Sequence, residues 1–351
     1  MKTKILIYGS LMLLIAACSK GNDQLNQGVG QQDPSGHNSP GNQTDPEKPL
    51  LGVWRYADSL PFENIRYLEF NEKELTLYKE HELYKFRDKV TGPYQSSESN
   101  FTFSDVIPYR INGDSLFLLS MQGDEVFLKD PGFSEDDWAS PVTAMDSFVS
   151  PINALTDFDF LNNHLLMGAG ESPGLFVIDP DTEMTIDTLM QDVPITAFKY
   201  FIPFQSFYAL PFDDNVYQYS FTHQQASVFA DDVVLDSPIT GIALANGKYV
   251  VASDEKIVLL NSKGEKMEDY DIDMDLKGLA FSDNGYLYAC TNNYINVCQL
   301  DPFFTVATYK VSELDSLGGI AHDTDNQFWL SGKKNGAEQA KIIKTNIPIG
   351  D

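Results

Sequence analysis

The sequence predicts an all-β protein: a small antiparallel meander or partial barrel, followed by a β-propeller of five blades. Three observations predict it. Short runs of alternating character are separated by turn signals such as Asn112-Gly113-Asp114 and Gln122-Gly123-Asp124. Five segments of about 40 residues align with one another over the second half of the chain. Four of the five carry an alanine or glycine at the same place in their first strand.

The chain opens with Lys2 and Lys4, then an apolar run from Ile5 to Ala17. A bilayer-spanning helix needs about 20 residues, so this run is too short to span. It has the length of the apolar core of a secretory signal peptide. The run ends in Ile15-Ala16-Ala17-Cys18, with small residues before the cut and a thiol after it. That ending resembles the lipobox of bacterial lipoproteins. The resemblance implies a signal peptide over 1–17, lipid on Cys18, and anchoring to the outer membrane on its periplasmic or cell-surface face. Several acyl chains exceed the two signals that stable anchoring requires. The bland alternative is an ordinary signal peptide with a chance cysteine.

Residues 18–48 are mostly Gly, Asn, Gln, Pro, Asp and Ser. Such a segment buries too little apolar surface to offset its ordering entropy, so it reads as a flexible tether. The formal net charge is −27, and removing Lys2 and Lys4 with the signal peptide makes it −29. A chain this acidic repels nucleic acid, so DNA and RNA are excluded as partners.

From Pro49 short strands begin: 52–54, 65–70, 74–78, 92–95, 101–103, 108–111, 115–120 and 125–129. The order Gly52-Val53-Trp54, a Phe-Asn-Glu turn, Gly92-Pro93-Tyr94 and then Pro108-Tyr109-Arg110-Ile111-Asn112-Gly113 resembles the small lipocalin-like domains of Bacteroidota lipoproteins. The resemblance covers about residues 49–130 and implies a barrel. The stretch is short for eight strands, so an incomplete barrel is expected.

The propeller is expected over 140–350. Its repeats start at Leu155, Ile195, Ile239, Leu276 and Leu317, and each reads as three apolar strands followed by a more polar one. Four strands in about 40 residues make one propeller blade. Ala197, Gly241, Gly278 and Gly319 fall at one position, where blades crowd the axis. The last repeat shows three strands. Residues 142–148 are therefore expected to supply its fourth and close the ring. The rival arrangement is a single seven-bladed propeller in which 64–128 forms two more blades.

Catalytic motifs are weak. Gly170-Glu171-Ser172-Pro173-Gly174 matches G-x-S-x-G, but it lies between two expected strands rather than at a strand-to-helix turn, and reads as a hairpin loop. Asp269, Asp271, Asp273 and Asp275 alternate on one strand and share a face. They offer hard oxygens to Ca²⁺, the one cofactor the sequence leaves open, although they fail the EF-hand pattern and fit a charged edge strand better. The five histidines lack zinc-ligand spacing. Cys290 and Cys298 flank a turn and stand either as a disulfide or, preferably, as two buried thiols. The many aromatics of the second repeat fit core packing, or else sugar stacking.

The sharpest candidate site is positional. Asp192, Asp236, Asp275 and Asp315 each precede an innermost strand, so they are expected to ring one mouth of the channel. Asp157 takes the small-residue position of the first repeat, and His322 follows Gly319 on the last innermost strand. A ring of carboxylates suits a cation or a glycan, whereas Asp before strands also serves simple turn capping. The function expected is a membrane-anchored, non-catalytic lipoprotein binding a protein or ligand through its propeller. The alternative is a propeller enzyme, a metal-assisted hydrolase, lactonase or glycoside hydrolase using those carboxylates.

Overall fold

Turn chemistry at short intervals leaves room for strands and little else, and the folded chain is almost entirely β. The computed structural model describes residues 49–351 except 59–63, 82–85, 122, 154, 162–164, 202–204, 212, 234–236, 246, 255, 273–275, 283, 326 and 348–351. Cys18 and the 18–48 segment lie outside the described residues. Among the described residues no helix is long and apolar enough to cross a membrane.

Nine strands build the first module: β1 (Gly52–Tyr56), β2 (Ile65–Phe70), β3 (Glu74–Glu80), β4 (Arg87–Pro93), β5 (Gln95–Ser96), β6 (Asn100–Thr102), β7 (Val106–Asn112), β8 (Ser115–Ser120) and β9 (Gly123–Lys129). They form one antiparallel sheet in the order β4-β3-β2-β1-β9-β8-β7-β6-β5. The two ends of that order, β4 and β5, are consecutive in the chain and separated only by Tyr94. One bent strand therefore brings the sheet nearly to closure. Pro93 suits the bend because proline cannot donate to a ladder. Tyr94 fixes it, its N–H donating to Lys73 O at 3.2 Å and its hydroxyl to Asn71 O at 2.9 Å. Trp54, Phe70, Phe101, Leu116 and Phe127 fill the interior, and Trp54 Nε1 donates to Leu50 O at 2.8 Å. The sheet has nine strands and is nearly closed, where an incomplete eight-stranded barrel was expected; β5 and β6 are only 2 and 3 residues long, which lets a ninth strand fit in a short stretch of chain.

A short helix α1 (Glu135–Trp138), capped by Ser134, leads to β10 (Ser140–Val142) and β11 (Ala144–Val149). Five four-stranded blades follow. Blade 1 is β12 (Leu155–Phe160), β13 (Leu166–Gly170), β14 (Leu175–Asp179) and β15 (Met184–Leu189). Blade 2 is β16 (Ala197–Phe201), β17 (Gln205–Ala209), β18 (Val216–Ser220) and β19 (Gln225–Ala230). Blade 3 is β20 (Gly241–Ala245), β21 (Lys248–Ala252), β22 (Lys256–Leu260) and β23 (Lys266–Asp271). Blade 4 is β24 (Leu276–Phe281), β25 (Leu287–Thr291), β26 (Tyr294–Leu300) and β27 (Phe303–Val311). Blade 5 is β28 (Ser316–His322), β29 (Phe328–Lys333) and β30 (Lys341–Thr345), completed by β11.

The ring closes as the sequence predicts. β11 pairs antiparallel with β30, Phe148 opposite Ile342, so the last blade borrows its outer strand from before the first. The seven-bladed alternative is overturned, because residues 64–128 belong to the nine-stranded sheet. β10 was not anticipated. It adds to blade 4 as a fifth strand, parallel to β27. Around the axis the small residues answer close approach: a Cβ on Gly278 would stand 2.9 Å from Gly319 Cα, and one on Gly319 would stand 2.8 Å from Asp157 Cα.

The barrel is docked on blade 4, and residues 48–351 form one compact unit. Phe86 is fully buried in the core of blades 3 and 4 and stacks on Phe303 with ring centroids 5.8 Å apart. Arg87 N–H donates to Asn296 Oδ1 at 3.1 Å, while Asn296 Nδ2 and Thr291 Oγ1 donate to Arg87 O at 3.1 and 2.8 Å. Asn292 Nδ2 lies 2.7 Å from both Asp88 Oδ1 and Lys89 O. Beside them Glu135 takes Lys89 at 3.0 Å, Lys310 at 2.6 Å and the Tyr294 hydroxyl at 2.9 Å. Paired polar groups of this kind stiffen the joint, although Trp138 Nε1 and Asn293 Oδ1 beside them are buried with no hydrogen-bond partner among the described residues.

Candidate functional site

The innermost strands begin at the same end of the ring, and strand alternation decides what each presents there. Leu155, Ile195, Ile239, Leu276 and Leu317 are buried between blades, as are Asp157, Ala197, Gly241, Gly278 and Gly319 two places on. The residue between each pair points the other way. These five are Thr156, Thr196, Thr240, Lys277 and Gly318, one from each blade and each half-buried. Together they line a cavity of about 360 Å³ at the mouth of the propeller. Lys333, Pro238 and Ala340 contribute to its rim.

The axis beneath the mouth is narrow. β12 and β24, from blades that are not ring neighbours, approach each other across it. Ser331 bridges blades 5 and 1 here: its hydroxyl accepts from Gly319 N at 2.8 Å and donates to Leu155 O at 3.2 Å.

The mouth offers hydrogen-bond donors. Thr196 and Thr240 hold the same pose: each backbone N–H donates to a carbonyl of the next strand, Ala209 O at 3.0 Å and Ala252 O at 2.8 Å. Each hydroxyl reaches that same carbonyl only at 3.3 and 3.4 Å. Those distances are long for an O–H donor, so the hydroxyls are exchangeable at small cost. Thr156 Oγ1 is buried and has no hydrogen-bond partner among the described residues. Among the described residues that line the mouth, none is Asp, Glu, His or Cys.

The carboxylates expected at this mouth are placed elsewhere or lie outside the described residues. Asp157 is 1 % exposed and sits in the seam between blades 1 and 2. Its oxygens accept from Phe158 N and, across the seam, Phe198 N, both at 2.9 Å. Burial, opposed by those two N–H groups, pushes its carboxyl well above the usual range. Asp159 repeats the seam contact, accepting from Phe160 N at 2.9 Å and Tyr200 N at 3.0 Å, with Lys199 Nζ at 3.0 Å. Asp192 is exposed. Asp315 accepts from Asn335 N at 2.9 Å and pairs with Lys334 at 3.5 Å, which caps a turn. Asp236 and Asp275 lie outside the described residues. His322 ends β28, four residues beyond Gly318 and so roughly 13 Å along the strand from the mouth, with its ring against Phe328.

Other motifs resolve simply. Gly170 ends β13, so the G-x-S-x-G match spans the loop between β13 and β14, with Gly174 at φ +120°. Asp269 and Asp271 lie on the outer strand of blade 3 and face Lys256, with Lys266 also on Asp269. Asp273 and Asp275 lie outside the described residues, and among the described residues no group of three acids, histidines or cysteines is placed to hold a metal. Cys290 stands opposite Ile295 and Cys298 opposite Leu287, so the register keeps the two thiols from pairing. Both are free and buried, and burial pushes Cys298 up to about 12.

No protein-family model matches the chain, and no curated protein matches it. Among solved structures the chain is similar to the crystal structure of Myxococcus xanthus glutaminyl cyclase, at 14 % identity over 60 % of this chain and 100 % of that one, with a TM-score of 0.47.

Proposed function

We propose that this chain is a lipoprotein, anchored through Cys18 to the outer membrane on its periplasmic or cell-surface side, that binds a small ligand at the propeller mouth without transforming it. The barrel, which we read as lipocalin-like, is a docked support for the propeller rather than a separate reader. The carrying observation is the mouth itself. One residue from each of five blades converges on a cavity of about 360 Å³, and the described lining supplies hydroxyl donors and two lysines but no Asp, Glu, His or Cys. Cavities of that size suit small molecules. A general acid or base must lie within hydrogen-bond reach of the substrate, and none of the described lining residues is one of the usual candidates except lysine.

Two measurements test this. Cells fed an alkyne fatty acid should label the wild-type chain and leave Cys18→Ser unlabelled and released from the membrane fraction. A thermal-shift screen of small molecules should give ligands whose effect disappears in Thr240→Trp, where the indole fills the mouth. Consumption of such a ligand by the purified protein would replace the binding reading with the enzyme reading.

A further inference from the structure

An edge strand carries a row of unpaired N–H and C=O groups, and folded proteins cover, charge or cap it. The outer strands of four blades show these devices. On β15 the Asp187 carboxylate accepts from Thr188 N at 2.8 Å, and Gln191 Nε2 donates to Thr188 O at 3.3 Å. On β11 the Asp146 carboxylate accepts from Ser147 N at 2.8 Å. β23 carries Lys266, Glu268, Asp269 and Asp271. On β27, β10 covers residues 309–311. The uncharged run before them, 303–308, is closed to a two-fold pair, because a second copy would drive the turn between its own β26 and β27 into β10.

β19 has none of these devices. Its sequence, QASVFA, carries no charge, and Thr222, His223 and Gln224 before it include no acid. Residues 222–228 are exposed, Val228 to 53 %. Among the described residues β19 makes no hydrogen bond beyond its ladder with β18. The blade 3 turn at Gly264 packs on Phe229 O, so the open edge is 225–228. Asp231 and Asp232, both exposed, follow it.

These flanking charges select the partner. A second copy laid antiparallel turns its Thr222, His223 and Gln224 toward Asp231 and Asp232 of the first. Its own two aspartates meet the matching neutral end of the first copy. Carboxylates therefore never oppose one another, and each His223 lies toward the other copy's acidic end. A parallel copy would set acid against acid, which destabilises a strand pair.

We infer that β19 is a self-association edge. Two copies pair antiparallel through 225–228 about a two-fold axis, with Ala226 of one copy beside Ser227 of the other, and their blade 2 sheets join into one of eight strands. Main-chain hydrogen bonds drive strand addition of this kind, and side chains choose the partner. A pair this short buries less than the roughly 1,600 Å² of a stable complex, so monomer and dimer exchange at micromolar concentration. The net charge of −27 on the whole chain adds a repulsion between copies that salt screens.

Sedimentation equilibrium tests this on the full mature chain, carrying Cys18→Ser so that it stays in solution. Over about 5–500 µM the chain should pass from monomer to dimer and stop there. The association constant should rise between about 0.05 and 0.5 M NaCl. Ser227→Asp and Ser227→Lys each place like charges across the axis, and each should weaken the dimer at least about fivefold. An equimolar mixture of the two variants should recover the dimer. Both variants should keep the native circular dichroism and melting temperature, because the position is exposed. A chain that stays monomeric at about 500 µM in about 0.5 M NaCl overturns the proposal, as does a dimer that neither substitution weakens. Two weakened variants whose mixture recovers nothing overturn self-pairing and leave the edge to an extended segment of another protein. Growth beyond the dimer overturns the two-fold axis.

Discussion

Glu135 and Asp157 are both carboxylates set at seams between modules, yet the protein moves their acidities in opposite directions. Burial pushes each up. At Glu135 the bonds from Lys310, Lys89 and Tyr294 outweigh burial and hold the group below its usual range. At Asp157 burial is complete and outweighs the peptide N–H groups of Phe198 and Phe158 and the more distant charge of Lys199, so the net direction is upward. The difference teaches what each seam has to do. The barrel–propeller joint is built from side chains some 200 residues apart in sequence, and charge fixes it. The blade 1–blade 2 seam lies at the axis, where even a Cβ on Gly319 would stand 2.8 Å from Asp157 Cα.

The hardest way to break the comparison is to remove the apolar support of the joint. Phe86 is fully buried and stacked on Phe303. Phe86→Ala should cost about 3–5 kcal/mol in a denaturant melt. Because Phe86 immediately precedes Arg87–Lys89 and packs into blade 4 beside their bonds to Asn292 and Asn296, the barrel strands should then exchange amide hydrogens ahead of the blades. Uniform exchange across both modules would mean the joint does not depend on this ring.

Glu135→Gln tests the charge directly. Losing the ionic partner of two lysines should cost roughly 2 kcal/mol at neutral pH. A carboxyl held low in the folded state contributes stability that is present above its unfolded value near 4.3 and lost as pH falls through the folded value. The wild-type protein should therefore lose stability on acidification below about pH 4 more steeply than Glu135→Gln does. Parallel pH profiles for the two proteins would show that Glu135 is not the group responsible.

Much of this architecture was legible in the sequence, for reasons that particular residues make plain. The blades repeat, and the small residue at 197, 241, 278 and 319 announces the axis. Residues 142–148 announce the closing strand because the last repeat lacks one. β10 was not legible, since three residues with a central Pro141 carry no alternation and owe their conformation to the edge of blade 4. The joint was hidden for the same reason: Asn292 and Asn296 look like ordinary turn and strand polars until Arg87 arrives. The mouth was half legible. Aspartates precede each innermost strand and draw the eye as candidate ligands, whereas the residues that face the cavity stand immediately before the small one. Reading the column Thr156, Thr196, Thr240, Lys277, Gly318 with period-two alternation would have found them.

Asp159 offers the smallest and sharpest test, because it shares Asp157's geometry and Glu135's chemistry. It lies two residues along the same strand, spans the same seam to Tyr200 N, and is 5 % exposed, but Lys199 stands 3.0 Å away. Lys199→Met should lose about 1 kcal/mol in a denaturant melt at neutral pH, since a paired but mostly buried charge is left with peptide donors alone. In an Asp159→Asn background the same lysine substitution should cost much less, because the charge that the lysine serves is gone. An equal loss in the two backgrounds would mean that the N–H groups of the seam, and not the lysine, hold this carboxylate.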